Sequence, residues 1–129
     1  MSRPFSPLPP LHDGYLDGVL TRDDEARLFV RTAQGSQFTL ILSGVTRFKV
    51  DGFSEGNIIF ECELSTDPEI TKDVLIDLNH GSTNDRELAR LRERVSNEGY
   101  RVFWIAPSYG ATVAALIEGL SVVDGVVTR

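Results

Sequence analysis

From Ala26 to Leu64 the chain alternates apolar and polar residues with a period of two. Leu28 and Val30 point one way, and Arg27, Phe29 and Arg31 the other. Phe38, Leu40 and Leu42 share a face opposite Gln37, Thr39 and Ile41. Thr46, Phe48 and Val50 oppose Val45, Arg47 and Lys49, and Ile58, Phe60, Cys62 and Leu64 oppose Asn57, Ile59, Glu61 and Glu63. β-Branched and aromatic residues at this period predict half-buried antiparallel strands. Ala33-Gln34-Gly35-Ser36, Ser43-Gly44, Asp51-Gly52 and Glu55-Gly56-Asn57 supply turn residues between the runs. The expectation is a meander of consecutive strands, with Arg47 and Lys49 lying across from Glu61 and Glu63 as cross-strand charge pairs.

The flanks divide by pattern. Residues 1–11 carry four of the six prolines and read as an extended arm, disordered or draped over the surface. Phe5, Leu8 and Leu11 are candidate anchors, on this chain or on a second copy. Residues 12–129 read as one domain. Tyr15 to Leu20 suits a first edge strand, Ser65 to Glu69 a loop, and Val74 to Leu78 a short strand. Asp85 to Asn97 is the clearest helix. Asn84 suits an N-cap with Glu87 three residues on, Leu88, Leu91 and Val95 form a narrow apolar stripe, and Gly99 suits a left-handed cap. Tyr100 to Ala106 is apolar on both faces and predicts a strand buried on both sides, with Trp104 in the core. Ala111 to Leu120 is open between helix and strand and leans to strand, and the tail to Arg129 is expected to be partly ordered at best. The predicted class is α+β: a mainly antiparallel sheet with one main helix, about 85–97, packed on one face.

Composition narrows the function. A length of 129 residues fits one domain with its own core, and a formal charge of −6 argues against a general nucleic-acid binder. The single cysteine, Cys62, cannot form an internal disulfide and reads as a small buried hydrophobe. No apolar run approaches the roughly 18 residues of a membrane span, and the N-terminus lacks a signal-peptide core. A cytoplasmic location without membrane association is the expectation. No P-loop, no GxGxxG and no CxxC pair occurs, so no cofactor is expected.

Four constellations are candidates for chemistry or binding. Ala106-Pro107-Ser108-Tyr109-Gly110 is similar to a nucleophile elbow, but no histidine follows it. His12 and Asp13, with His80 and Asp77, would suit a metal or acid–base site only if folding joins the two segments; otherwise they make turn and edge hydrogen bonds. From Asp51 to Thr71 there are six acidic side chains and no basic one, among them Glu55, Glu61 and Glu63. The simpler account is a solvated surface, and the sharper one a docking patch for a basic partner. Arg86, Arg90 and Arg94 recur every four residues on the predicted helix. They read as a solvated face balanced by Glu87 and Glu93, or as a docking ridge for an acidic protein or a phosphate-bearing ligand.

His12-Asp13-Gly14, followed by the strand pattern and by Glu55-Gly56-Asn57-Ile58-Ile59, resembles a loose group of small bacterial domains that open with a His-Asp dipeptide. Several of that group are uncharacterised and some resemble immunity proteins that neutralise polymorphic toxins. The resemblance covers the first half of the chain and implies no catalytic residue. Together these readings point to a non-enzymatic protein-binding module, immunity-like in its sharpest form. The alternatives are a small metal-dependent hydrolase using His12, Asp13 and His80, or a structural domain that oligomerises by exchanging its N-terminal arm.

Overall fold

Eight strands and two helices follow one another along the chain in this computed structural model, which describes residues 5–67, 71–79 and 81–129. They are β1 (Tyr15–Arg22), β2 (Glu25–Arg31), β3 (Gln37–Ser43), β4 (Arg47–Asp51), β5 (Asn57–Ser65), α1 (Lys72–Leu78), α2 (Asp85–Asn97), β6 (Arg101–Tyr109), β7 (Thr112–Ile117) and β8 (Gly119–Asp124). The strands form one sheet in the order β4-β7-β6-β5-β1-β2-β3-β8, and every pair of neighbours is antiparallel. The protein is therefore α+β and dominated by antiparallel sheet. No helix among the described residues is long and apolar enough to cross a membrane.

The two ends of that order are joined by the chain itself. β3 and β4 are separated only by Gly44-Val45-Thr46, and β7 and β8 only by Glu118. At this corner the Glu118 amide donates to the Ser43 carbonyl (2.9 Å), and the Thr46 amide donates to the Leu116 carbonyl (3.0 Å). β3–β4 and β7–β8 thus behave as two bent strands paired along their whole length. The sheet closes as a six-stranded barrel. The seam between β1 and β5 is the shortest, with Tyr15 opposite Ile58 and Leu16 opposite Asn57.

The closed wall sends alternate residues inward. Leu16, Ala26, Leu28, Val30, Leu40, Leu42, Ile59, Phe103, Ile105, Val113, Ala115, Ile117 and Leu120 form one buried cluster, against which Phe48, Val50, Cys62 and Leu64 pack. A second cluster lies outside the wall. Leu75 and Leu78 of α1 and Leu88, Leu91 and Val95 of α2 meet Val102, Ala114 and Leu116 on the outer face of β6 and β7. These two strands are consequently apolar on both faces. The N-terminal segment adds to the wall: Phe5 bridges Leu120, the Ser6 amide donates to the Leu120 carbonyl, and Leu11 is buried.

Several expectations need correction. The run Arg47 to Asp51 does not continue the meander, because the chain turns the barrel corner and pairs β4 with β7. Arg47 then lies opposite Leu116 and Lys49 opposite Ala114, while Glu61 and Glu63 lie opposite Ala106 and Trp104. The expected Arg47/Lys49 to Glu61/Glu63 pairing does not form. The first strand is an edge only in part: β2 flanks it along its length, and β5 pairs with Tyr15 and Leu16 on the other side. Val74 to Leu78 lies in a second, shorter helix rather than a strand; a five-residue apolar run fits either period, and burial of Leu75 and Leu78 at i, i+3 on the outer wall favours the helical one. An irregularity between Ile59 and Glu61 breaks the alternation of β5, so Ile59, Cys62 and Leu64 all point inward while Phe60 is exposed. The C-terminal tail is tied down by Thr39, whose hydroxyl donates to the Gly125 carbonyl and accepts from the Val127 amide.

Candidate functional site

α1 stands off the outer face of β6 and β7 and leaves a groove of about 500 Å³ beside it. Its buried side uses Leu75 and Leu78, so the turn-related positions Asp73, Val74, Ile76 and Asp77 border the groove. The facing wall is Trp104, Ala106 and Pro107 of β6 with Thr112 and Ala114 of β7. Trp104 is thus not a sealed core residue; it packs on the helical cluster and also presents surface to the groove. The volume falls in the range of ligand-sized clefts and the lining is mostly apolar.

Acidic groups edge this apolar surface. Register places Glu63 beside Trp104 and Glu61 beside Ala106 on the neighbouring strand, and both are exposed. Asp73 and Asp77 stand on the helical side. Asp77 is held by Lys49, whose Nζ donates to Oδ1 at 2.7 Å. That hydrogen bond raises the Lys49 pKa above its ordinary value and tethers α1 to β4. Glu55 lies farther along, in the β4–β5 turn. It accepts from the Ser54 hydroxyl at 2.7 Å and from the Tyr109 hydroxyl at 3.5 Å, and the Ser54 bond holds its carboxyl below the usual range.

This turn is fixed by Asn57. Its Oδ1 accepts from the Ser54 and Ala111 amides (2.8 and 3.0 Å), and its Nδ2 donates to the Ser54 and Leu16 carbonyls (2.8 and 3.2 Å). One buried amide therefore joins the β4–β5 turn, the β6–β7 turn and β1. Gly110, at φ +90°, is what permits the approach, since a Cβ there would overlap Asn57.

The arginine positions separate. Arg86 is exposed on α2. Arg90 and Arg94 instead border a cleft of about 630 Å³, together with Arg47 of β4 and with Asn79, Ser82, Glu87 and Leu91. Arg94 also lies 3.7 Å from Glu98 and over the Tyr100 ring. The Asn84 cap forms as expected, accepting from the Arg86 and Glu87 amides. The Glu87 carboxylate does not close the capping box; it accepts from Asn79 Nδ2 at 2.8 Å and so braces the loop after α1.

His12 and Asp13 have local roles. His12 Nδ1 donates to the Phe60 carbonyl at 2.7 Å, and the ring meets Phe60 edge-on; Nε2 is 3.5 Å from the Asp13 carboxylate. The Asp13 amide donates to the Ile59 carbonyl, so the dipeptide docks the N-terminal segment on β5. His80 lies outside the described residues. Asp77 is bound to Lys49, and no group of three His, Cys, Asp or Glu side chains among the described residues is placed to hold a metal. Ser108 sits near the end of β6, and Gly110 turns the chain into another strand rather than a helix, which removes the context a nucleophile elbow needs.

Two kinds of residue escaped the sequence reading. Asp73, Val74 and Ile76 were hidden by the strand reading of that segment, and Asp77 was read only as a partner for His12, Asp13 and His80, although Asp73 and Asp77 at i, i+4 were a visible helical signal. Arg47 was hidden by the expected pairing with β5. Comparison with protein families, curated proteins and solved structures finds no match to this chain.

Proposed function

We propose that this protein is a non-enzymatic binding module that takes a basic, partly apolar segment of a partner protein into the groove between α1 and the β6–β7 wall. The observation that carries the reading is the pairing of an apolar floor at Trp104, Ala106 and Pro107 with outward carboxylates at Glu61, Glu63 and Asp73. Apolar surface of this kind supplies affinity, and the surrounding charge selects the sign of the partner and speeds encounter. An immunity-like role, with a toxin domain as the basic partner, is the specific form that the resemblance of the first half suggests.

The test is affinity capture from the native host with the unaltered chain, with Glu61→Lys/Glu63→Lys, and with Val74→Arg. A stoichiometric basic partner that is lost with both variants, while their melting curves stay cooperative, is the expected result. A partner retained equally by both variants, or no partner at low and moderate salt, would sink the reading.

A further inference from the structure

We propose that the cleft between the start of β4 and α2 is a phosphate-binding site, selective for a phosphate monoester. Three arginines from two elements, Arg47, Arg90 and Arg94, border one cleft in a chain whose net charge is −6. Arg90 and Arg94 are one helical turn apart, and like charges at that spacing repel one another. The acids on α2 relieve this only in part: Glu93 and Glu98 border a neighbouring cleft with Arg90 and Arg94. Neither Arg47 nor Arg90 has an ion pair or side-chain hydrogen bond among the described residues, and Arg94 meets Glu98 only at 3.7 Å, with both side chains largely solvated. The one carboxylate in the lining, Glu87, accepts from Asn79 and keeps its charge, so three arginines against one glutamate leave the lining at +2. The Ser82 hydroxyl oxygen accepts from the Asn84 amide, which leaves its O–H to donate.

A phosphate dianion answers each of these features. Guanidinium forks match its oxygens in bidentate fashion, and Ser82 adds a neutral donor. The cleft, at about 630 Å³, is larger than the bare anion needs, and Leu91 gives it an apolar wall. An organic group on the phosphate fits that remaining space. The site is separate from the groove beside α1, and neither proposal depends on the other.

The experiment is a titration of the whole chain with inorganic phosphate and with AMP, followed by amide NMR shifts at constant ionic strength, with acetate as control. Saturable shifts at residues 47, 82, 90 and 94, with AMP the tighter ligand, are expected. Arg47→Gln and Arg90→Gln should each weaken binding about tenfold, whereas Arg86→Gln, on the same helix but outside the cleft, should not. Arg90→Lys, which keeps the charge and loses the fork, should fall between. Binding of AMP should also weaken from pH 7.5 to 5, as its phosphate passes a second pKa of about 6. No saturable response, or equal losses in Arg86→Gln and Arg90→Gln, would overturn the site. Equal affinities for phosphate and AMP would overturn the monoester preference.

Discussion

The two halves of the barrel wall are built from the same alternation but face different surroundings. β1, β2 and β3 bury one face in the barrel and leave the other to polar groups, such as the bidentate Arg31–Asp17 pair (2.6 and 2.9 Å) and Arg31 stacked over Tyr15. β6 and β7 bury both faces, one in the barrel and one under the helices. The difference matters for function. A wall covered by water has no recess, whereas a wall partly covered by two helices has clefts where the cover stops. Both clefts of interest border the loop that joins α1 to α2. Gly81 lines the acid-edged groove, and Asn79 and Ser82 line the arginine cleft.

The sharpest break would come from the inner layer of the double-sided wall. Phe103→Ala removes a fully buried ring and should cost about 3–5 kcal/mol in denaturant unfolding. Next is the outer layer. Leu91→Ala should cost about 2–5 kcal/mol, because Leu91 is buried against the outer cluster rather than lying on a wet helix face. A melt unchanged by Leu91→Ala would reduce α2 to a loosely attached element. On the β3 side of the barrel the matching change is Val123→Thr on β8, an exposed position, which should stay within about 0.5 kcal/mol. Gly110→Ala probes the clamp between the turns. Its φ alone makes a cost of about 1–3 kcal/mol, and contact with Asn57 adds to it, so a neutral result would refute the clamp.

Two smaller effects concern charge. Burial pushes the Cys62 thiol up to about 12. Folded protein should therefore resist thiol reagents at pH 8 and react once unfolded. The sign follows from linkage: above about pH 9 the unfolded chain loses this proton first, so stability from Cys62 falls between pH 9 and the folded value of about 12. Lys49 is raised by Asp77 as well. Its contribution is complete below 10.5 and fades as pH rises through the higher folded pKa, so Lys49→Met should leave stability insensitive to pH between 6 and 9 and show mainly as faster amide exchange in α1.

Local pattern was enough to locate most strands. The period of two in 26–50 survived folding, with Leu28, Val30, Phe38, Leu40, Leu42, Phe48 and Val50 all turned to the core. The helix at Asp85–Asn97 was legible from its cap and stripe, and the two-faced apolar run at Tyr100–Ala106 announced a doubly covered strand. These features depend on neighbours a few residues apart, which a sequence displays. Pairing partners did not follow. Whether β4 lies beside β5 or β7 turns on a three-residue corner and on closure of the sheet, and the alternation of Phe48 and Val50 is compatible with either. The run at Val74–Leu78 was too short for its period to be read, and its helical form depends on an outer wall supplied by residues 102–116. Neither cleft could be seen in advance, because each is assembled from segments more than twenty residues apart. The sequence by itself determined which residues of 26–50 face the core and where the main helix runs; the facing of β5 at its bulge, which strands touch, and which charges converge were decided by long-range closure of the barrel.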